Sequence, residues 1–155
     1  MTKTKFVYAA MGSVSNGTMR EEDLIPDFVW TLKHLAKQND NQSHLTLCDE
    51  IEERMEEDDY YASEDASFDL NEGLFNALNE YALPYFYFGS HPGDGADYGF
   101  WLSEFFEDGF EGLKVEDTSE VPNDYSGEVL HVNDHGNMTL YAAQNGKLEK
   151  IWGIV

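Results

Sequence analysis

From Met55 through Leu113 the sequence carries 15 carboxylates and not one Lys or Arg. Extending that stretch to Gly146 adds six carboxylates and a single cation, Lys114. No other feature constrains the fold as much. Like charges at this density oppose compaction, so the chain folds only if its apolar residues bury a substantial core and leave the acid outside. Over all 155 residues the formal net charge is −22, against a magnitude of about 2–8 for an ordinary small domain.

The core material is present. Hydrophobic residues make up 41% of the chain and aromatics 14%, whereas a disordered acidic tail lacks both. The expectation is one acidic domain over residues 1–155, folded inside and anionic outside.

The same charge excludes whole classes of function. With no basic patch, the chain is not a phosphate-backbone binder. An anionic membrane surface repels it, and no run of about 18 apolar residues offers a membrane span. The start, MTKTKFVYAA, has no apolar region of signal-peptide length. Cys48 is the one cysteine, so no intrachain disulfide forms and a reducing, cytoplasmic setting is expected.

Periodicity predicts the elements. Lys5–Met11 reads as a first strand and GSVSNG as a turn. Thr18-x-x-Glu21 has the form of a capping box, and Pro26 suits a first helical turn. Phe28, Val29, Leu32, Leu35 and Ala36 then recur at helical spacing, predicting a helix to about Gln38. A second helix over about Ser43–Glu57 carries Leu45, Cys48, Ile51 and Met55 on one stripe. A third, about Ser67–Ala82, turns Phe68, Leu74, Phe75, Leu78 and Tyr81 inward. Tyr85–Gly89 is strand-like, HPGDGADYG reads as a loop, FWL resumes the strand, and SEFFEDGFEG suggests a short helix. GEVLHVN, MTLYAAQ and LEKIWGIV alternate, and Asn145-Gly146 between the last two is a strong hairpin signal. The predicted class is α+β: about three helices on a largely antiparallel sheet, closed by a C-terminal meander.

The acid is densest on the second helix. Asp49, Glu53 and Glu57, and separately Glu52 and Glu56, stand at i, i+4 spacing. Each such like-charge pair costs roughly 0.2–0.5 kcal/mol, and Glu50–Arg54 is the favourable pair available to offset them. Residues four apart rise about 6 Å along a helix, while duplex DNA carries one phosphate per about 3.4 Å of axis on each strand. Asp49, Glu52, Glu53, Glu56, Glu57, Asp58, Asp59, Glu64 and Asp65 are therefore the candidate partner-binding residues, with carboxylates standing in for phosphates. The plain alternatives are a solvated face that confers solubility, or adaptation to salt.

Other chemistry has thinner support. His91, Asp94 and Asp97 in one segment and His131, Asp134 and His135 in another offer a candidate mixed His/Asp metal site. Turn formation explains the same residues, since Asp-Gly and His-Gly suit tight turns. No His-Glu-x-x-His, paired-Cys or EF-hand spacing occurs. Cys48 lies on an apolar stripe amid acids, the wrong setting for a nucleophile. GDGADYG lacks the lysine of a phosphate loop, and no Gly-x-Ser-x-Gly is present. The chain is expected to be no enzyme and to carry no cofactor.

GDGADYGFW, SEVPNDYSGEVLHVNDHGNMTLY and the closing IWGIV, over roughly residues 85–155, with EDLIP near position 22, resemble a group of small acidic bacterial and phage proteins. That resemblance implies no activity and no site residues. In size and charge the whole chain is similar to anti-restriction and anti-CRISPR proteins that mimic DNA. The function this implies is inhibition of a basic nucleic-acid-binding protein. An immunity protein or antitoxin against a basic toxin is the alternative, and a small His/Asp metal-binding domain is another.

Overall fold

The computed structural model describes residues 5–104 and 106–155. The fold is α+β, and the chain divides into two compact units, the first ending at Glu104 and the second running to Val155.

In the first unit the strands are β1 (Gly12–Ser15), β2 (Phe86–His91) and β3 (Asp94–Leu102), all antiparallel in the order β1-β3-β2. The expected strand at Lys5–Met11 lies elsewhere: β1 begins at Gly12, inside the segment expected to turn. The upstream residues have other partners. Asn39 brackets Val7, accepting its N–H at 2.8 Å and donating to its carbonyl at 2.9 Å, and the Ala9 N–H reaches the Tyr81 carbonyl at 2.8 Å. β1 lies so close to β3 that a Cβ at Gly99 would sit 2.8 Å from the Ser13 Cα and collide with the Gly12 carbonyl oxygen. HPGDGADYG is not an open loop either. The β2–β3 ladder runs from Phe86↔Leu102 to Ser90↔Tyr98 and, after a register shift that passes over residues 95–97, ends at His91↔Asp94 with Pro92 and Gly93 between them.

Helix α1 (Glu21–Gln38) buries Leu24, Ile25, Phe28, Val29, Leu32, Leu35 and Ala36, as the periodicity predicts. Its start is not a capping box. Arg20 occupies the cap position without a side-chain capping bond, and the Thr18 hydroxyl instead donates to Asp23 at 2.6 Å. Pro26 stands in the second turn rather than the first. Helix α2 (Gln42–Met55) is capped by Asn41, whose side chain accepts the His44 N–H at 3.1 Å. Cys48 and Ile51 are fully buried, while Leu45 and Met55 are partly covered.

A short 3-10 turn at Tyr60–Ala62 leads into α3 (Glu64–Phe68), a π-helical segment (Asp69–Leu74) and α4 (Phe75–Asn79). This is the expected third helix, begun earlier and interrupted. Its buried stripe is Ala66, Leu70, Leu74 and Leu78, every fourth residue. In a uniform α-helix such a stripe precesses by about 40° per step, and the wider π turn takes up that drift. Phe68, expected inward, is therefore 65% exposed, and Asp69 is buried in its stead. Phe28 anchors the core of this unit, edge-on to Phe75, Phe88 and Tyr98 at centroid distances of 5.6, 5.0 and 5.8 Å, a favoured aromatic geometry.

The second unit holds α5 (Phe106–Gly109), β4 (Leu113–Val115), β5 (Gly127–Val132), β6 (Met138–Gln144) and β7 (Lys147–Ile154) in one sheet of order β4-β5-β6-β7. β5, β6 and β7 form the expected meander, and β4 adds to it in parallel. Asn145 (φ 53°) and Gly146 (φ 79°) form the final turn, both left-handed as a type I′ hairpin requires. Both sheet faces are apolar. Val115, Val129 and Ala143 pack with Val121 and Tyr125, while the cross-strand row Leu130–Leu140–Trp152 is buried, with Phe106 edge-on to Trp152. No helix among the described residues is long and apolar enough to cross a membrane.

Candidate functional site: the carboxylate face of α2 and its flank

Helix α2 turns its apolar side to α1 and the core, which leaves its acid outside. Asp49, Glu53, Glu56, Glu57, Asp58, Asp59, Glu64 and Asp65 are all exposed. Asp49, Glu52, Glu53 and Glu56 line one open depression, with no other side chain in its wall among the described residues.

Two of the expected charge relations differ. Arg54, paired with Glu50 by spacing, turns inward. Its Nε and Nη2 donate to Asp69 Oδ2 and Oδ1 at 2.8 and 2.9 Å, and the Tyr60 hydroxyl donates to Oδ2 at 2.7 Å. Asp69 is only 5% exposed, and a buried carboxylate draws a guanidinium more strongly than a solvated one does. Burial, reinforced by the bond to Asp69, pushes the Tyr60 phenol upward. Glu52, in turn, forms an ion pair with Lys33 of α1, so it differs from its neighbours in being tied across the helix pair. Along residues 49–65 Arg54 is the sole Lys or Arg, and its charge is directed into the protein.

Cys48, on the opposite side of α2, is fully buried with Sγ 3.8 Å from the Val29 carbonyl. Burial pushes its thiol up to about 11, which keeps it protonated and unreactive near neutral pH.

The candidate metal residues have local partners. His91 Nδ1 accepts the Gly93 N–H at 2.9 Å, Asp94 accepts the Ala96 N–H at 3.0 Å, and Asp97 accepts the Ser13 hydroxyl at 2.6 Å. These three belong to the first unit. In the second, His131 Nε2 bonds the Glu116 carbonyl at 3.0 Å, the His135 N–H donates to Asn133 at 2.9 Å, and Asp134 is exposed. Among the described residues no three His, Cys, Asp or Glu side chains are grouped to hold a metal ion. Not all the acid is free surface charge, either. Asp117 and Glu120 cap the turn Thr118–Glu120, and the bonds from Ser119 hold the Asp117 carboxyl below its usual range.

A feature not anticipated from sequence is a groove of about 490 Å³ between α1 and the residues leading into β1, with Trp30 on its wall. Its signal was present: Trp30 falls out of phase with the buried stripe of α1. No protein-family model, curated protein or solved structure matches this chain.

Proposed function

We propose that this protein is a non-enzymatic, cytoplasmic inhibitor that presents carboxylates in place of nucleic-acid phosphates. It occupies the DNA- or RNA-binding groove of a basic host-defence protein, in the manner of anti-restriction and anti-CRISPR proteins. The observation that carries this reading is the exposed acid from Asp49 to Asp65, whose one internal cation is committed to buried Asp69. Pairing Arg54 with Asp69 serves the fold and leaves the outer face of α2 without a cation of its own. An outward Arg54 would relieve like-charge repulsion on α2, and instead the face is left purely anionic. The target's Lys and Arg, which normally neutralise phosphates, would engage these carboxylates, and long-range attraction would speed encounter.

The test is affinity capture from the native host followed by identification of the partner. Under this reading the partner binds nucleic acid, and duplex DNA or RNA competes for it. The variant combining D49N, E53Q, E56Q and E57Q, checked for folding by circular dichroism, should bind at least about tenfold more weakly, equivalent to about 1.4 kcal/mol. It should also show a shallower salt dependence. Full affinity with an unchanged salt slope would leave this face as solvated acid and nothing more.

A further inference from the structure

The groove beside β1 lies away from the carboxylates of α2 and has a different character. One wall is the segment Ala9–Val14, running into strand β1. The other is the α1 row Asp27, Trp30, Thr31 and His34, at helical spacing on one face, and buried Phe100 forms part of the lining. Sheet order places β1 at an edge, bonded to β3 alone among the described strands. The ladder is irregular at Val14, so the open edge is short, enough for three or four residues of added chain. An edge strand facing a helix across a groove is the arrangement in which extended peptides add to a sheet, with main-chain bonds supplying affinity and side-chain pockets supplying selectivity.

The side chains say what kind of segment fits. Trp30 is 65% exposed and leans on His34, with ring centroids 4.0 Å apart and ring planes tilted by 35°, so its neighbour helps to hold the indole in place. Asp27 lies one turn before Trp30, exposed, and among the described residues no Lys or Arg lines the groove. A guanidinium is suited to such a pair, since it stacks on the indole and forms an ion pair with the carboxylate at once. The surrounding field, from a net charge of −22, favours the same sign of ligand.

We propose that this groove binds an extended, arginine-bearing segment of a partner polypeptide, added alongside β1 with its arginine between Trp30 and Asp27. The site is independent of the α2 face, so either can fail alone.

The probe is the capped peptide Thr-Val-Arg-Val-Thr, titrated into the full-length 15N-labelled protein, with Thr-Val-Glu-Val-Thr as control. Binding should move the amide signals of Met11–Val14 and the Trp30 indole N–H, and the Glu peptide should not. Because Trp30 and Asp27 are exposed, their variants keep the fold. Trp30→Ala should weaken binding at least about tenfold and Asp27→Asn about fivefold, the range of a partly desolvated cation–π contact and a surface ion pair. Three results would overturn the proposal: no response from those amides, an equal response to the Glu peptide, or shifts confined to the α2 carboxylate face. Concentration-dependent shifts at the same amides without peptide would assign the groove to a second copy of the chain, and would also overturn it.

Discussion

Arg54 grips Asp69 through two parallel hydrogen bonds of 2.8 and 2.9 Å, joining α2 to the π-helical segment 15 residues later. Tyr60 completes the site from the turn between them. Removing one partner strands the other in a place water cannot fully reach. Arg54→Ala should therefore destabilise the fold by about 3 kcal/mol, read as a lower urea midpoint with an unchanged slope. Arg54→Lys should recover only part of the loss, because an ammonium does not reproduce the two-pronged geometry. A midpoint within error of the parent would show that the network contributes nothing.

Glu52 and Glu53 are adjacent in sequence and should behave oppositely. Glu52 is paired with Lys33 across the α1–α2 contact, whereas Glu53 is exposed on a like-charged face. Glu52→Gln should cost up to about 1 kcal/mol, while Glu53→Gln should be neutral or slightly stabilising. Thermal melts of the two single variants at low salt decide the matter.

Alkaline pH should unfold the protein early. The Cys48 thiol is raised to about 11 by burial, and the Tyr60 phenol is also raised. A group whose folded value is raised holds its proton longer in the folded state. It thus contributes stability that is complete below its unfolded value and is lost as pH rises through the folded one. Stability should fall as pH climbs from about 9 towards 11, and Cys48→Ala should flatten part of that fall. At neutral pH a thiol reagent should label Cys48 only at the rate of opening. Rapid stoichiometric labelling of the native protein would contradict the burial.

Salt should stabilise the fold. The few surface ion pairs, such as Arg20 with Glu22 and Asp23, weaken on screening, but the repulsion within a net charge of −22 weakens more. Between about 20 mM and 500 mM sodium chloride the melting temperature should rise by about 3 °C or more. A flat or falling trend would mean that the local pairs outweigh the general repulsion.

Replacing Gly99 should separate β1 from β3. A methyl group there meets backbone atoms of Gly12 and Ser13, which cannot move aside as the end of a flexible side chain could. Gly99→Ala should lower the melting temperature and broaden the amide signals of Gly12 and Ser13 first.

Where the controlling interactions are local, the sequence was a sufficient guide. The α1 stripe and the Asn145-Gly146 hairpin depend on neighbours a few residues apart, and both formed as their spacing predicts. β1 was misplaced because Gly12–Ser15 becomes a strand only through β3, more than 80 residues later. β4 has three residues and a parallel partner, too short for any alternation to register. The acidity of the candidate face was legible from composition, but the direction of Arg54 was not, since nothing in the sequence separates buried Asp69, between Phe68 and Leu70, from the exposed acids at Glu64, Asp65 and Glu72. The groove was legible only as an anomaly, a tryptophan on the wrong side of its helix.

The wide turn at Asp69–Leu74 sets a condition on how this region can change. A strict four-residue rhythm of Ala66, Leu70, Leu74 and Leu78 fits the interior only because one turn is loosened. Tightening that turn into an ordinary α-turn with every residue kept would swing everything after it by about 100°. Leu74 and Leu78 would then leave the side that Ala66 and Leu70 occupy. Substitutions on the outer side of this rod should be freely exchanged in evolution, whereas its residue count and its one loosened turn should change only together, like meshed gears.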